Sequence, residues 1–113
     1  MEEISIAELR ETFESGRTKC VSWRKKQLKA LLDLVSENED SIFKALDQDL
    51  GKSPVESYRD EVGVVKKSAT YSLSCLDKWV APKKGDLSLL LFPSKAEVIP
   101  EPLGVVLIFV ESK

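Results

Sequence analysis

The sequence predicts an incomplete α/β fold: a helical N-terminal region, a β-ribbon, and the first strand of a doubly wound α/β domain. Three observations predict it. Apolar residues recur at steps of three or four as far as Val80, the pattern of helices buried on one face. That period is lost after Gly85. Residues 103–110, Leu-Gly-Val-Val-Leu-Ile-Phe-Val, are then apolar without alternation, as in a strand covered on both faces of a parallel sheet. The expected division is a helical region over 1–85, a ribbon over 86–100, and the start of a second domain over 101–113.

The helices carry their own start and stop signals. Ser5 and Glu8 make a capping box, each able to satisfy a free amide of the other. Ile6, Leu9 and Phe13 follow at helical spacing, and Gly16 is the expected stop. A second helix is expected from about Ser22, with Leu28, Leu31, Leu32 and Val35 opposite Arg24, Lys25, Lys26 and Lys29. Ser36 and Glu39 suggest another capping box, opening a helix whose buried face is Ile42, Phe43, Leu46 and Leu50. Asp40 and Lys44 would pair across one turn, and Gly51 would end it.

Ser53-Pro54-Val55-Glu56 combines an N-cap, a first-turn proline and an N3 glutamate. Val55, Tyr58, Val62, Val65, Ala69, Leu73, Leu76 and Val80 then predict one long stripe on a helix of about 40 Å, ended by Pro82. Residues 87–92 and 96–99 read as two strands joined by a turn at Pro93-Ser94.

Composition narrows the chemistry. The chain has 113 residues, 42% of them hydrophobic and 32% charged, which suits one globular domain. A net charge of −2 argues against a dedicated nucleic-acid binder. Histidine is absent, so catalysis by Ser/His/Asp or Cys/His and HExxH metal sites are excluded. Two cysteines without CxxC spacing fit a reducing, cytoplasmic setting. The first residues show no secretory signal, no apolar run is long enough to span a membrane, and the five glycines form no GxGxxG or Walker loop.

Individual candidates mostly have plain readings. Cys20 lies just before a helix start, where amides lower a thiol pKa, yet no base accompanies it. Cys75 reads as core or core edge. Arg24, Lys25, Lys26 and Lys29 read as a solvated face compensated by Asp33. Glu37, Glu39 and Asp40, like Asp47 and Asp49, lack the rest of a calcium loop. No residue is assigned a catalytic, cofactor-binding or metal role.

Residues 101–108, Glu-Pro-Leu-Gly-Val-Val-Leu-Ile, resemble the segment that opens the cofactor domain of aldehyde dehydrogenases. Residues 23–31, 47–52 and 61–65 resemble the same family, particularly its class 3 members from plants, and the likeness runs from about Leu9 to Phe109. The resemblance implies oxidation of aldehydes to carboxylic acids with NAD or NADP. It also implies that the strand ending at Ile108-Phe109 opens a doubly wound NAD(P)-binding domain and leads into an asparagine-bearing loop. Val110-Glu111-Ser112-Lys113 departs from that pattern, and the family's cysteine nucleophile, glutamate motif and cofactor loops have no counterpart here. The implied protein is a truncated, inactive member holding no cofactor itself. The alternatives are a fragment joining full-length homologous subunits through residues 86–100, or a helical interaction module. The isolated chain is expected to self-associate through residues 104–110, which combine high β-propensity with no charge.

Overall fold

The structure, a computed structural model, describes residues 5–109. It is mostly helical with one small two-stranded sheet. Helix α1 (Ile6–Glu14) opens with the expected box: the Ser5 amide donates to Glu8 Oε2 at 2.7 Å and the Glu8 amide to Ser5 Oγ at 3.2 Å. A 3₁₀ turn (Arg17–Lys19) leads to α2 (Val21–Glu37), which starts one residue earlier than expected, with Cys20 as its N-cap.

The expected box at Ser36 does not form. An N-cap needs extended backbone, and Ser36 is still inside α2. Helix α3 (Glu39–Leu50) begins after a break at Asn38, whose side-chain amide donates to Leu34 O at 2.7 Å. Glu39 instead pairs with Lys66. Asp40 and Lys44 do not appear among the ion pairs of the described residues. Gly51 ends α3 at φ 63°, a left-handed cap in which its amide donates to Asp47 O at 2.8 Å.

The next start is built as read. The Ser53 amide donates to Glu56 Oε2 at 3.1 Å and the Glu56 amide to Ser53 Oγ at 3.3 Å, with Pro54 leading α4 (Pro54–Ser57). A π turn (Tyr58–Val62) then joins it to α5 (Gly63–Val80). The Gly63 amide donates to Tyr58 O, and a Cβ at position 63 would lie 2.7 Å from that oxygen. Glycine is what lets the wide turn close. The stripe holds from Val62 onward, while the extra residue in the π turn rotates the residues before it off that face. Val55, Tyr58 and Val65 are exposed, while Ser57, Val62, Ala69 and Leu76 are buried.

Val62, Ala69 and Leu76 recur at seven-residue steps. Helix α5 packs mainly on α2, where Leu28, Leu32 and Val35 are half-buried and Leu31 is at the edge. Lys25 Nζ reaches Asp77 Oδ2 at 2.6 Å across that contact.

The ribbon differs from its expected form. Its strands are β1 (Lys83–Lys84) and β2 (Glu97–Val98), antiparallel, with Lys83 opposite Val98 and Lys84 opposite Glu97. Leu89–Leu91 is a 3₁₀ turn rather than a strand, because Ser88 Oγ accepts from the Leu90 amide and supplies a local alternative to a ladder. The expected strand over 103–110 does not form as far as Phe109, where the chain has no ladder partners among the described residues, and Val110 lies outside them. A strand exists only where another backbone accepts its hydrogen bonds.

The accessible surface is 9919 Å², against roughly 6,200 Å² for a compact protein of this mass. The radius of gyration, 19.9 Å, likewise exceeds the about 13 Å of a compact chain. Much apolar surface is left open.

Leu76→Ala is expected to lower stability by about 2–3 kcal/mol in urea unfolding, because it empties the α2–α5 contact. Val65→Ala, on an exposed position, should change it by less than about 1 kcal/mol. Hydrogen bonds from the Ser53 backbone and side chain hold the Glu56 carboxyl below its usual range. A depressed carboxyl pKa favours the folded cap above the unfolded value of about 4.3, and that support is lost as pH falls through the folded value. Amide exchange over 54–57 should therefore lose protection in acid. Glu56→Gln, which keeps an acceptor but cannot titrate, should abolish that step.

Candidate functional site

Cys20 is where catalytic chemistry would first be sought. It is exposed at the start of α2, with Sγ 3.0 Å from Ser22 Oγ. That hydroxyl, then the amides of Trp23 and Ser22, hold the thiol below its ordinary pKa. Its neighbours are otherwise engaged: Lys19 Nζ bonds Glu101 Oε2 at 2.8 Å, and Arg24 Nε donates to Thr18 O at 2.6 Å. The arrangement makes a more acidic thiol but supplies no base to turn over a thioester. Cys75 is half-buried on α5, 3.7 Å from Ser74 Oγ, and its interaction with Tyr71 pushes that phenol upward.

The basic group on α2 is not one solvated face. Arg24 caps the preceding turn, Lys25 crosses to α5, and Lys26 and Lys29 face outward. Compensation comes from Asp77 on α5, not from Asp33. Among the acids, Glu37 and Asp40 are exposed and Glu39 is taken by Lys66. Asp47 and Asp49 lie near the end of α3. No group of three His, Cys, Asp or Glu side chains among the described residues could hold a metal ion. No helix among them is long and apolar enough to cross a membrane.

What these residues do assemble is a joined layer. Lys52 Nζ meets Glu61 Oε1 at 2.7 Å, tying the loop after α3 to the π turn, and Glu61 raises the Lys52 ammonium. Lys66 ties α5 to α3, Lys25 ties α2 to α5, and Lys19 tethers the chain at Glu101. Solvent screening leaves such pairs little weight in stability; they set orientation. They escaped sequence reasoning because their partners are far apart in the chain. Gly63 inside an otherwise helical stripe was the available signal for the π turn.

Beyond the layer, the ribbon loop encloses a recess of about 560 Å³, walled by Leu87, Leu89, Phe92 and Ala96 with Lys84 at one edge. Leu89, Leu90 and Phe92 are more than four-fifths exposed. Asp86, Lys95 and Glu97 also line the recess, so its wall is mixed apolar and charged.

No family model matches the chain. It is 53% identical over 94% of its length to aldehyde dehydrogenase family 3 member F1 of Arabidopsis thaliana, covering 22% of that protein. It is 42% identical over 85% of its length to the 4,4'-diaponeurosporen-aldehyde dehydrogenase of Staphylococcus aureus, covering 21%. A solved substrate-bound structure of Staphylococcus aureus AldH superimposes with a TM-score of 0.79 at 36% identity, over 88% of this chain and 23% of that one. The chain belongs to aldehyde dehydrogenase family 3, matching a short N-terminal portion of its members. It spans about a fifth of the length of the curated relatives it matches.

The Cys20 environment is directly measurable. The alkylation rate of Cys20 with iodoacetamide should rise at lower pH than that of an ordinary thiol, whose midpoint is about 8.5. Ser22→Ala should move the Cys20 midpoint upward, toward that value.

Proposed function

We propose that residues 5–109 form the helical layer and ribbon of an NAD(P)-dependent aldehyde dehydrogenase that oxidises aldehydes to carboxylic acids in the cytoplasm, and that they support the chemistry rather than perform it. The supporting observation is the shared course with the Staphylococcus aureus enzyme at a TM-score of 0.79. On this reading residues 1–85 are a helical buttress, 86–100 an association ribbon, and 101–113 the entry into a doubly wound cofactor domain. NAD or NADP would be held by residues outside these 113. The chain alone lacks a nucleophile paired with a base, so it should not turn over an aldehyde.

A second reading is that the chain joins intact homologous subunits through residues 86–100. It is favoured by the outward Leu89, Leu90 and Phe92, at 91%, 94% and 84% exposure.

The main reading is tested by replacing the matching segment of the Arabidopsis family 3 member F1 enzyme with residues 5–109 of this chain. A soluble chimaera should keep kcat/KM within about tenfold of its parent; a folded but inactive chimaera contradicts the reading. For the 113-residue chain alone, no aldehyde-dependent NADH or NADPH formation is expected. Turnover that disappears on Cys20→Ala or Cys75→Ala would show that the chain carries chemistry. For the second reading, co-expressed tagged subunits should capture the chain, and Phe92→Lys should reduce capture several-fold.

A further inference from the structure

The rod from Pro54 to Val80 carries apolar residues at positions that its π turn keeps out of use. Val62, Ala69 and Leu76 are buried at seven-residue steps, and the same step back from Val62 reaches Val55, which is 76% exposed. Tyr58, one helical turn before Val62, is exposed as well. The residue turned inward in their place is Ser57, fully buried, whose Oγ has no hydrogen-bond partner among the described residues. A buried hydroxyl without a partner is costly, and an exposed valine and tyrosine forgo the gain of apolar burial. The residues before the turn therefore suit an uninterrupted α-helix better than the register they occupy.

We propose that the π turn is a register switch between two windings of the same rod. In the wide winding the Gly63 amide donates to Tyr58 O. In the narrow winding it donates to Arg59 O, four residues back, as in any α-helix. Residues 54–58 then turn by about 100° and shift by about 1.5 Å along the axis. That motion brings Val55 and Tyr58 onto the face of Val62 and turns Ser57 out of it. Gly51 and Lys52, between α3 and the Ser53 cap, take up the shift. The wide winding has supports of its own. Lys52 Nζ reaches Glu61 Oε1 inside the turn at 2.7 Å, and Gly63 lacks the Cβ that would lie 2.7 Å from Tyr58 O. Because α4 packs on α3, the switch changes which face of the rod α3 meets. It uses this chain's own residues and does not require the dehydrogenase reading.

Nuclear magnetic resonance of the full 113-residue chain tests it. Couplings across the hydrogen bond report whether the Gly63 amide bonds Tyr58 O or Arg59 O, and relaxation dispersion reads exchange between the two. The wild-type chain should show the Tyr58 coupling with exchange confined to residues 54–63. Glu61→Gln removes the ion pair and should raise the narrow population about two- to fivefold, the scale of one partly exposed pair. Ser57→Ala removes the unpartnered hydroxyl and should lower that population by about fivefold or more. Gly63→Ala should move the coupling to Arg59 O and shield Tyr58 from acetylation by N-acetylimidazole. If Gly63→Ala fails to fold, the opposite shifts of the other two variants still decide the matter. A wild-type chain without exchange over 54–63 overturns the proposal. So does a Glu61→Gln or Ser57→Ala population that is unchanged or moves the other way, or a folded Gly63→Ala still bonded to Tyr58 O.

Discussion

The contact between α2 and α5 is the constraint on which the described structure depends. Val62, Ala69 and Leu76 are the buried apolar side chains of the described residues, and each lies on the α4–α5 rod. Burying them yields a few kcal/mol at about 25 cal/mol per Å², comparable with the marginal stability of a small domain. Lys25–Asp77 and Lys66–Glu39 then fix how the neighbouring helices sit against that rod. The π turn sets its phase. Without the wide loop from Tyr58 to Gly63, Ser57 would not share the buried face with Val62 and Ala69.

Local chemistry was legible in the sequence where a few adjacent residues decide the outcome. Ser5 with Glu8, Ser53 with Pro54 and Glu56, and Gly51 all cap helices as expected, because capping is settled within one turn. Ser36 with Glu39 has the same spacing and fails. Its hydroxyl stays inside α2 while Glu39 finds Lys66, a partner 27 residues away. The long stripe holds at Val62, Ala69 and Leu76, while the inserted residue at the π turn moves Val55 and Tyr58 off the buried face and Val65 lies at its exposed edge. Strands proved least legible. Residues 87–92 and 103–109 have strand composition, yet composition cannot supply the second backbone that a strand requires.

The chemistry follows from the same distribution of side chains. Cys20 has an acidified thiol without a base, and Glu8, Glu39, Glu56, Glu61 and Asp77 are engaged in helix caps and ion pairs. The residues therefore build a surface: an ion-paired helical layer that presents its ribbon and an apolar extension. A relative superimposing with a TM-score of 0.79 at 36% identity indicates that this course tolerates wide sequence change. The lowered pKa of the Cys20 thiol was legible from its place before a helix. The recess inside the ribbon was not, because it depends on Ser88 turning the chain locally.

The α2–α5 contact organises the chain, while residues 103–109 have no backbone partner among the described residues. Residue-resolved hydrogen exchange of the dilute chain, below its association range, tests this most directly. The account predicts the strongest protection along α2 and α5, centred on Val62, Ala69 and Leu76, with residues 103–109 exchanging at rates close to those of unstructured peptide. Protection over 103–109 equal to that of α5 in the dilute chain would contradict it, since those residues would then belong to the core.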